Sequence, residues 1–126
     1  PHYDRFVRLE SVQNAVDQAK IAAAAITGKN PVYNSIPWFW SDQFNVKLQM
    51  VGLSEGYNQL FIRKEESETT KISIWYFKDD TLLAVDAINN PKAFVLGTKF
   101  IKGRSKIDTS KLVDATVPFK PAELLV

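Results

Sequence analysis

The hydrophobic period of this chain changes once, and that change fixes its fold class. Between Val12 and Ile26 the apolar residues Val12, Ala15, Val16, Ala19, Ala22, Ala23 and Ile26 recur at spacings of three and four, which predicts an amphipathic helix. From Phe44 the period drops to two. Phe44, Val46, Leu48 and Met50 alternate with Asn45, Lys47 and Gln49, the pattern of a half-buried strand. Gly52-Leu-Ser-Glu-Gly56 breaks that strand, and Gln59 to Lys64 reads as a second one. Arg63 to Thr70, with Glu65, Glu66 and Glu68, reads as a solvated turn. Lys71 to Lys78 and Thr81 to Ile88 form two further strands around the hairpin connection Asp79-Asp80. Asn90-Pro91 then opens a helix, with proline at its first position. The helix carries Phe94, Val95 and Ile101 and stops at Gly103. A turn after Asp108 and a proline-broken tail finish the chain. Hairpins followed by a helix specify an α+β layer, an antiparallel sheet of about four to five strands covered by helices.

The first helix stands apart from that layer. Ser11 is a suitable N-cap, Asn14 replaces the Glu or Gln of a full capping box, and Gly28 supplies the stop. Its stripe is rich in alanine, so it can lie close against a large surface. The stretch from Gly28 to Ile36 separates it from the strands. The chain therefore divides into residues 1–28 and an α+β domain over 29–126. Pro1 to Arg8 reads as the end of a loop, and an opening proline suggests a piece of something longer.

Between linker and strand lies Pro37-Trp-Phe-Trp-Ser-Asp-Gln43, read as a junction loop. Aromatic side chains of this size bury roughly 150–250 Å² each. Trp38 and Trp40 either plug the gap between two layers or present a flat face to a planar ligand. The remaining inventory closes doors. The lone histidine, His2, sits in the N-terminal end, away from any serine–carboxylate pairing or metal-ligand spacing. Without cysteine there is no disulfide, zinc cluster or redox thiol pair, and the five glycines build no phosphate loop. A net charge of +2 gives no signature of nucleic acid, and no apolar run approaches the ~18–20 residues of a membrane span. No secretory signal pattern opens the chain. Neither a catalytic constellation nor a metal site is expected within it. The N-terminus of the first helix and the aromatic segment remain as candidate functional features.

Arg8-Leu-Glu-Ser-Val-Gln-Asn-Ala15 with Gln18, Pro37-Trp-Phe-Trp-Ser-Asp-Gln43, Val51-Gly-Leu-Ser-Glu-Gly56, Val85-Asp-Ala-Ile-Asn-Asn-Pro91 and Leu112-Val-Asp114 carry a resemblance over nearly the whole chain. Together they resemble the C-terminal part of the FAD-dependent, NAD(P)H-linked ferredoxin reductases, the group that includes putidaredoxin, rubredoxin and dioxygenase ferredoxin reductases. Asp79-Asp80 departs from the more usual Asp-Gly hairpin, which affects a surface turn. Members of the group are more than twice this length, and their nucleotide-binding domains precede the point where this sequence begins.

The resemblance implies that residues 1–28 belong to an FAD-binding domain and 29–126 to the reductase C-terminal domain. It implies that the helix over Ser11–Thr27 aims its N-terminus at the flavin N1 and O2 edge, where negative charge collects when hydride reaches N5. Glu10, Ser11, Val12, Gln13 and Trp40 are the implied cofactor-binding residues, with the N–H groups of Val12 and Gln13 as donors. Trp38 is expected to be a packing residue. The implied partners are a ferredoxin or rubredoxin-type acceptor and, in the full-length parent, NAD(P)H. FAD is expected to be bound only in that parent, and the piece alone to be inactive. Six cations within Pro91–Val113 (Lys92, Lys99, Lys102, Arg104, Lys106 and Lys111) stand against one anion, Asp108. Lys20, Arg104 and Lys106 are the expected acceptor-docking residues. A cytoplasmic location, without membrane or nucleic acid, is expected. Two other readings stand beside this one: a dimerisation or interaction module of a related flavoprotein, and a free-standing binding module.

Overall fold

The computed structural model describes residues 3–66 and 70–126; His2 and Glu68 lie outside them. Strands β1 (Trp38–Gln43), β2 (Val46–Gly52), β3 (Gln59–Lys64), β4 (Ile72–Lys78) and β5 (Thr81–Ile88) form one sheet. Its order is β1-β2-β5-β4-β3, with every neighbouring pair antiparallel. β5 returns from its hairpin with β4 to pair with β2, from Leu48↔Ile88 to Gly52↔Ala84, and so joins the two halves of the sheet. The turn at Asp79 takes a left-handed φ of 52° and is held by Asn58, whose side chain bonds both the Asp79 carboxylate and its N–H.

One face of the sheet is covered by helices α2 (Pro91–Gly103), α3 (Thr109–Val113) and α4 (Pro121–Leu124), following α1 (Val12–Ile26) in chain order. The core lies between them: Val51, Trp75, Phe77, Val85 and Ala87 from the strands meet Ala93, Leu96, Phe100, Leu112, Phe119 and Leu124 from the helical side. Trp75 is fully buried and packs on Phe100 and Phe119, with ring centroids 6.3 and 6.1 Å away. α2 comes unusually close to the sheet at Gly97, where an added Cβ would stand 2.7 Å from Cγ2 of Val85. Asn90 caps the helix by accepting from the Ala93 N–H. The helix ends at Gly103 as expected, and Arg104 after it takes the left-handed position, with φ 48°. Val95 points outward and is 62% exposed.

Two expectations are corrected. The aromatic segment is a strand, β1, and not a loop. Trp38 to Gln43 pair along their length with Val51 to Val46, and Phe44 is left fully exposed in the turn with φ 55°. Arg63 is not in a solvated turn. It lies in β3, 1% exposed, and reaches the segment after α3. The apolar stripe of α1, which the sequence sets apart from the α+β layer, is exposed: Val12, Val16 and Ile26 are 63%, 46% and 87% exposed, whereas Gln13 and Asn14 are buried.

Candidate functional site

α1 is attached through polar groups. Gln13 accepts from the Trp38 N–H at 3.2 Å through Oε1 and donates to Asp17 at 2.6 Å through Nε2. Asn14 donates to the Leu9 carbonyl at 2.8 Å and accepts from Gln18 at 2.9 Å and from the Tyr33 hydroxyl at 2.7 Å. Burial, followed by the nearby Asp17 carboxylate, pushes the Tyr33 hydroxyl above its ordinary pKa, so it stays protonated as a donor. Inside a partly dry junction such bonds are directional, and leaving any of them unmade is costly. Two of them run from the helix to later parts of the chain, Gln13 to Trp38 of β1 and Asn14 to Tyr33 of the linker, and these tie the first turn of α1 to the domain.

That N-terminus opens onto β1. Ser11 Oγ accepts from the Asn14 N–H at 3.2 Å, and the Ala15 N–H bonds the Ser11 carbonyl at 3.1 Å. Among the described residues, this leaves the N–H groups of Val12 and Gln13 as the open donors of the first turn. Beside them is a cleft of about 220 Å³ lined by Glu10, Ser11, Val12, Phe39 and Trp40. Four of the five residues implied as cofactor-binding therefore line one depression, together with Phe39. The fifth, Gln13, turns its side chain away to β1 and offers the site only its backbone. Trp40 is 47% exposed, and its ring centroid lies 5.3 Å from that of Trp38. The arrangement suits a flat, partly anionic group, with amide donors and the positive end of a helix at its edge and an exposed indole beside it.

The basic residues do not gather into one patch. Arg104 and Lys106 lie at the end of α2 around a surface cavity that also holds Asp4 and Asp80. Lys92 sits 5.7 Å from the Phe119 ring centroid, and Lys111 pairs with Asp108 at 3.6 Å. Lys20 is exposed on α1 and lines neither that cavity nor the Trp40 cleft. Lys102 instead lines the cleft between α1 and α2, with Gln13, Asp17, Trp38 and Thr98. The sequence reading passed it over in favour of Arg104 and Lys106. Only the spacing Phe94, Thr98, Lys102, one helical face, carried a signal for it. Arg63, Asn14 and Phe39 were missed as well; a charge run, an imperfect capping box and a neighbour of two tryptophans concealed them.

Residues 38–123 match a family model described as the reductase C-terminal domain. The chain belongs to that family. Over 118 residues it is 43% identical to putidaredoxin reductase CamA of Pseudomonas putida, covering 94% of this chain and 28% of the relative. The ferredoxin–NAD(P)(+) reductase fdr of a Sphingomonas species is 39% identical over 114 residues, covering 90% and 27%. Among solved structures, the covalent putidaredoxin reductase–putidaredoxin complex superposes with a TM-score of 0.84 at 42% identity, over 94% of this chain and 28% of that one. A ferredoxin reductase from Rhodopseudomonas palustris superposes with a TM-score of 0.85 at 36% identity, over 96% and 30%. The chain thus spans under a third of the length of these relatives. No helix among the described residues is long and apolar enough to cross a membrane.

Proposed function

We propose that this chain is the C-terminal part of a flavoprotein reductase that passes electrons from NAD(P)H through FAD to a ferredoxin or rubredoxin-type iron–sulfur protein. Residues 1–28 are read as the end of an FAD-binding domain and 29–126 as the reductase C-terminal domain. The observation that carries the reading is the convergence, in a member of this family, of the first turn of α1 and Trp40 on one cleft. FAD, when bound, supplies the step from two-electron donor to one-electron acceptor. Glu10, Ser11, Val12 and Trp40 would hold it at this cleft, and the Val12 and Gln13 N–H groups would be positioned as donors to a partly anionic edge. Fixed amide donors need no reorganisation as charge develops there. The exposed stripe of Val12, Val16 and Ile26 is read as the surface that the preceding domain covers. Lys20, Arg104 and Lys106 remain the proposed acceptor contacts, with Lys102 added because it lies beside Trp38.

The test uses the encoded protein with its preceding sequence. It should hold FAD and show NAD(P)H-dependent reduction of ferricyanide, whereas the 126-residue chain alone should show no FAD binding in isothermal titration. Micromolar FAD binding by the chain alone, or no flavin in the longer protein, would sink the reading.

A further inference from the structure

The geometry points to Trp38 as a positioning residue that sets the orientation of Trp40, an inference that rests on the reading of Trp40 as the residue beside the flavin. Trp38 was expected to be packing, but at 37% exposure it is not a core side chain. It occupies the same face of β1 as Trp40, two residues on, and their rings lie 5.3 Å apart with a 33° tilt. Trp38 is held at both backbone and ring. Its backbone donates an N–H to Gln13 and pairs opposite fully buried Val51 on β2, and its ring meets Phe94 of α2 edge-on at 6.0 Å and 68°. Among the described residues, the Trp40 ring has no such contact with an aromatic side chain of a helix. It sits on an edge strand, opposite half-buried Gln49, and its one aromatic contact among the described residues is Trp38. An indole on a two-dihedral side chain with one open flank turns readily unless a neighbour blocks the turn. The Trp38 ring is that neighbour, and it ties the aim of Trp40 to α2 through Phe94.

Two measurements test this. In the 126-residue chain, two indoles at this distance and tilt give an exciton couplet in the far-ultraviolet circular dichroism. Trp38→Phe and Trp40→Phe should each abolish it. In the FAD-loaded longer protein, an indole in contact with flavin quenches flavin emission. Trp40→Phe should therefore lengthen the emission lifetime several-fold. Trp38→Ala should lengthen it nearly as much, and the double variant no further than Trp40→Phe alone, since both act through one ring. Trp38→Phe should restore most of the quenching, because a phenyl ring still blocks the turn, and a purely structural role would leave the lifetime untouched. If Trp40→Phe lengthens the lifetime and Trp38→Ala does not, or if their effects add, this inference falls while the proposed function stands. If Trp40→Phe has no effect on flavin emission, the site reading falls and this inference with it.

Discussion

Replacing Arg63 by methionine should be among the most damaging single changes in this domain, although the residue lies far from the cleft. Its guanidinium donates to three main-chain carbonyls at and after the end of α3: Leu112 at 3.1 Å, Asp114 at 2.9 Å and Val117 at 2.9 Å. It also pairs with Glu65 at 3.0 Å and lies 4.5 Å from the Phe119 ring centroid. Methionine roughly preserves the volume on Phe119, so the cavity contribution is small. The cost arises from the carbonyls. Each buried acceptor left unmade costs about 1–3 kcal/mol. The Leu112 carbonyl belongs to a fully buried residue, while Asp114 is exposed and Val117 half-buried, so water can replace part of what those two lose. Glu65, 20% exposed at its side chain, can swing out. The sum is about 3–5 kcal/mol, within the range for breaking a buried charge network. At the usual unfolding entropy per residue, that lowers the Tm of a chain this size by about 10–20 °C.

Thermal unfolding followed by circular dichroism reads the shift, and hydrogen exchange over residues 112–119 locates it. Arg63→Lys keeps the charge but not the planar fork, so it should fall between wild type and methionine. A methionine variant within about 3 °C of wild type would refute the reasoning, because the three carbonyls would then not depend on the guanidinium.

Burial pushes the Asp86 carboxyl above its usual 3.8, against the pull of its hydrogen bond from Tyr76. The native state therefore binds that proton more tightly, and this contribution to stability is full below pH ~3.8 and lost as pH rises through the raised value. Asp86→Asn should flatten that dependence in pH-dependent melts. It should also bring the Tyr76 hydroxyl, held up at about 12 by burial and then by Asp86, down toward ordinary tyrosine in an alkaline absorbance titration. Asp108 and Asp114 run the other way. Their neighbours Ser110 and Thr116 hold them below 3.8, so their contribution is lost only as pH falls through the lowered values. Asn14→Ala removes three side-chain bonds at the foot of α1 and should speed hydrogen exchange in α1 by on the order of tenfold or more, leaving β4 and β5 unchanged; equal protection in both would count against the polar attachment of the helix.

Much of this architecture is legible in residue order, because alternation and capping act locally. The hairpin at Asp79, the N-cap at Asn90 and the stop near Gly103 each depend on residues a few positions apart. What escaped depends on residues far apart. Pro37 and Ser-Asp-Gln give β1 the chemistry of a loop, yet β2 folds back and pairs with all six of its residues. Arg63 looks like the start of a charged turn because its partners lie 49 to 54 residues later in the chain. The cleft was foreseeable only through the family resemblance, since nothing in the spacing of Glu10 and Trp40 states that they share a depression.

The orientation of α1 shows what its pattern leaves open. An amphipathic stripe indicates which side of a helix avoids water, but it does not name the body that covers that side. Here the residues that reach the rest of the chain are polar: Gln13 accepts from the Trp38 backbone N–H and Asn14 from the Tyr33 hydroxyl. A helix shared by two bodies gains from this division. Apolar contact is non-directional and tolerates sliding, whereas hydrogen bonds specify angle. Directional bonds in the first turn tie the segment that carries the Val12 and Gln13 N–H groups to the domain. The alanine-rich side remains free to pack closely on whatever lies opposite. The two bonds from the first turn of α1, at Gln13 and Asn14, thus hold the helix end beside the Trp40 cleft through side chains that lie off its apolar stripe.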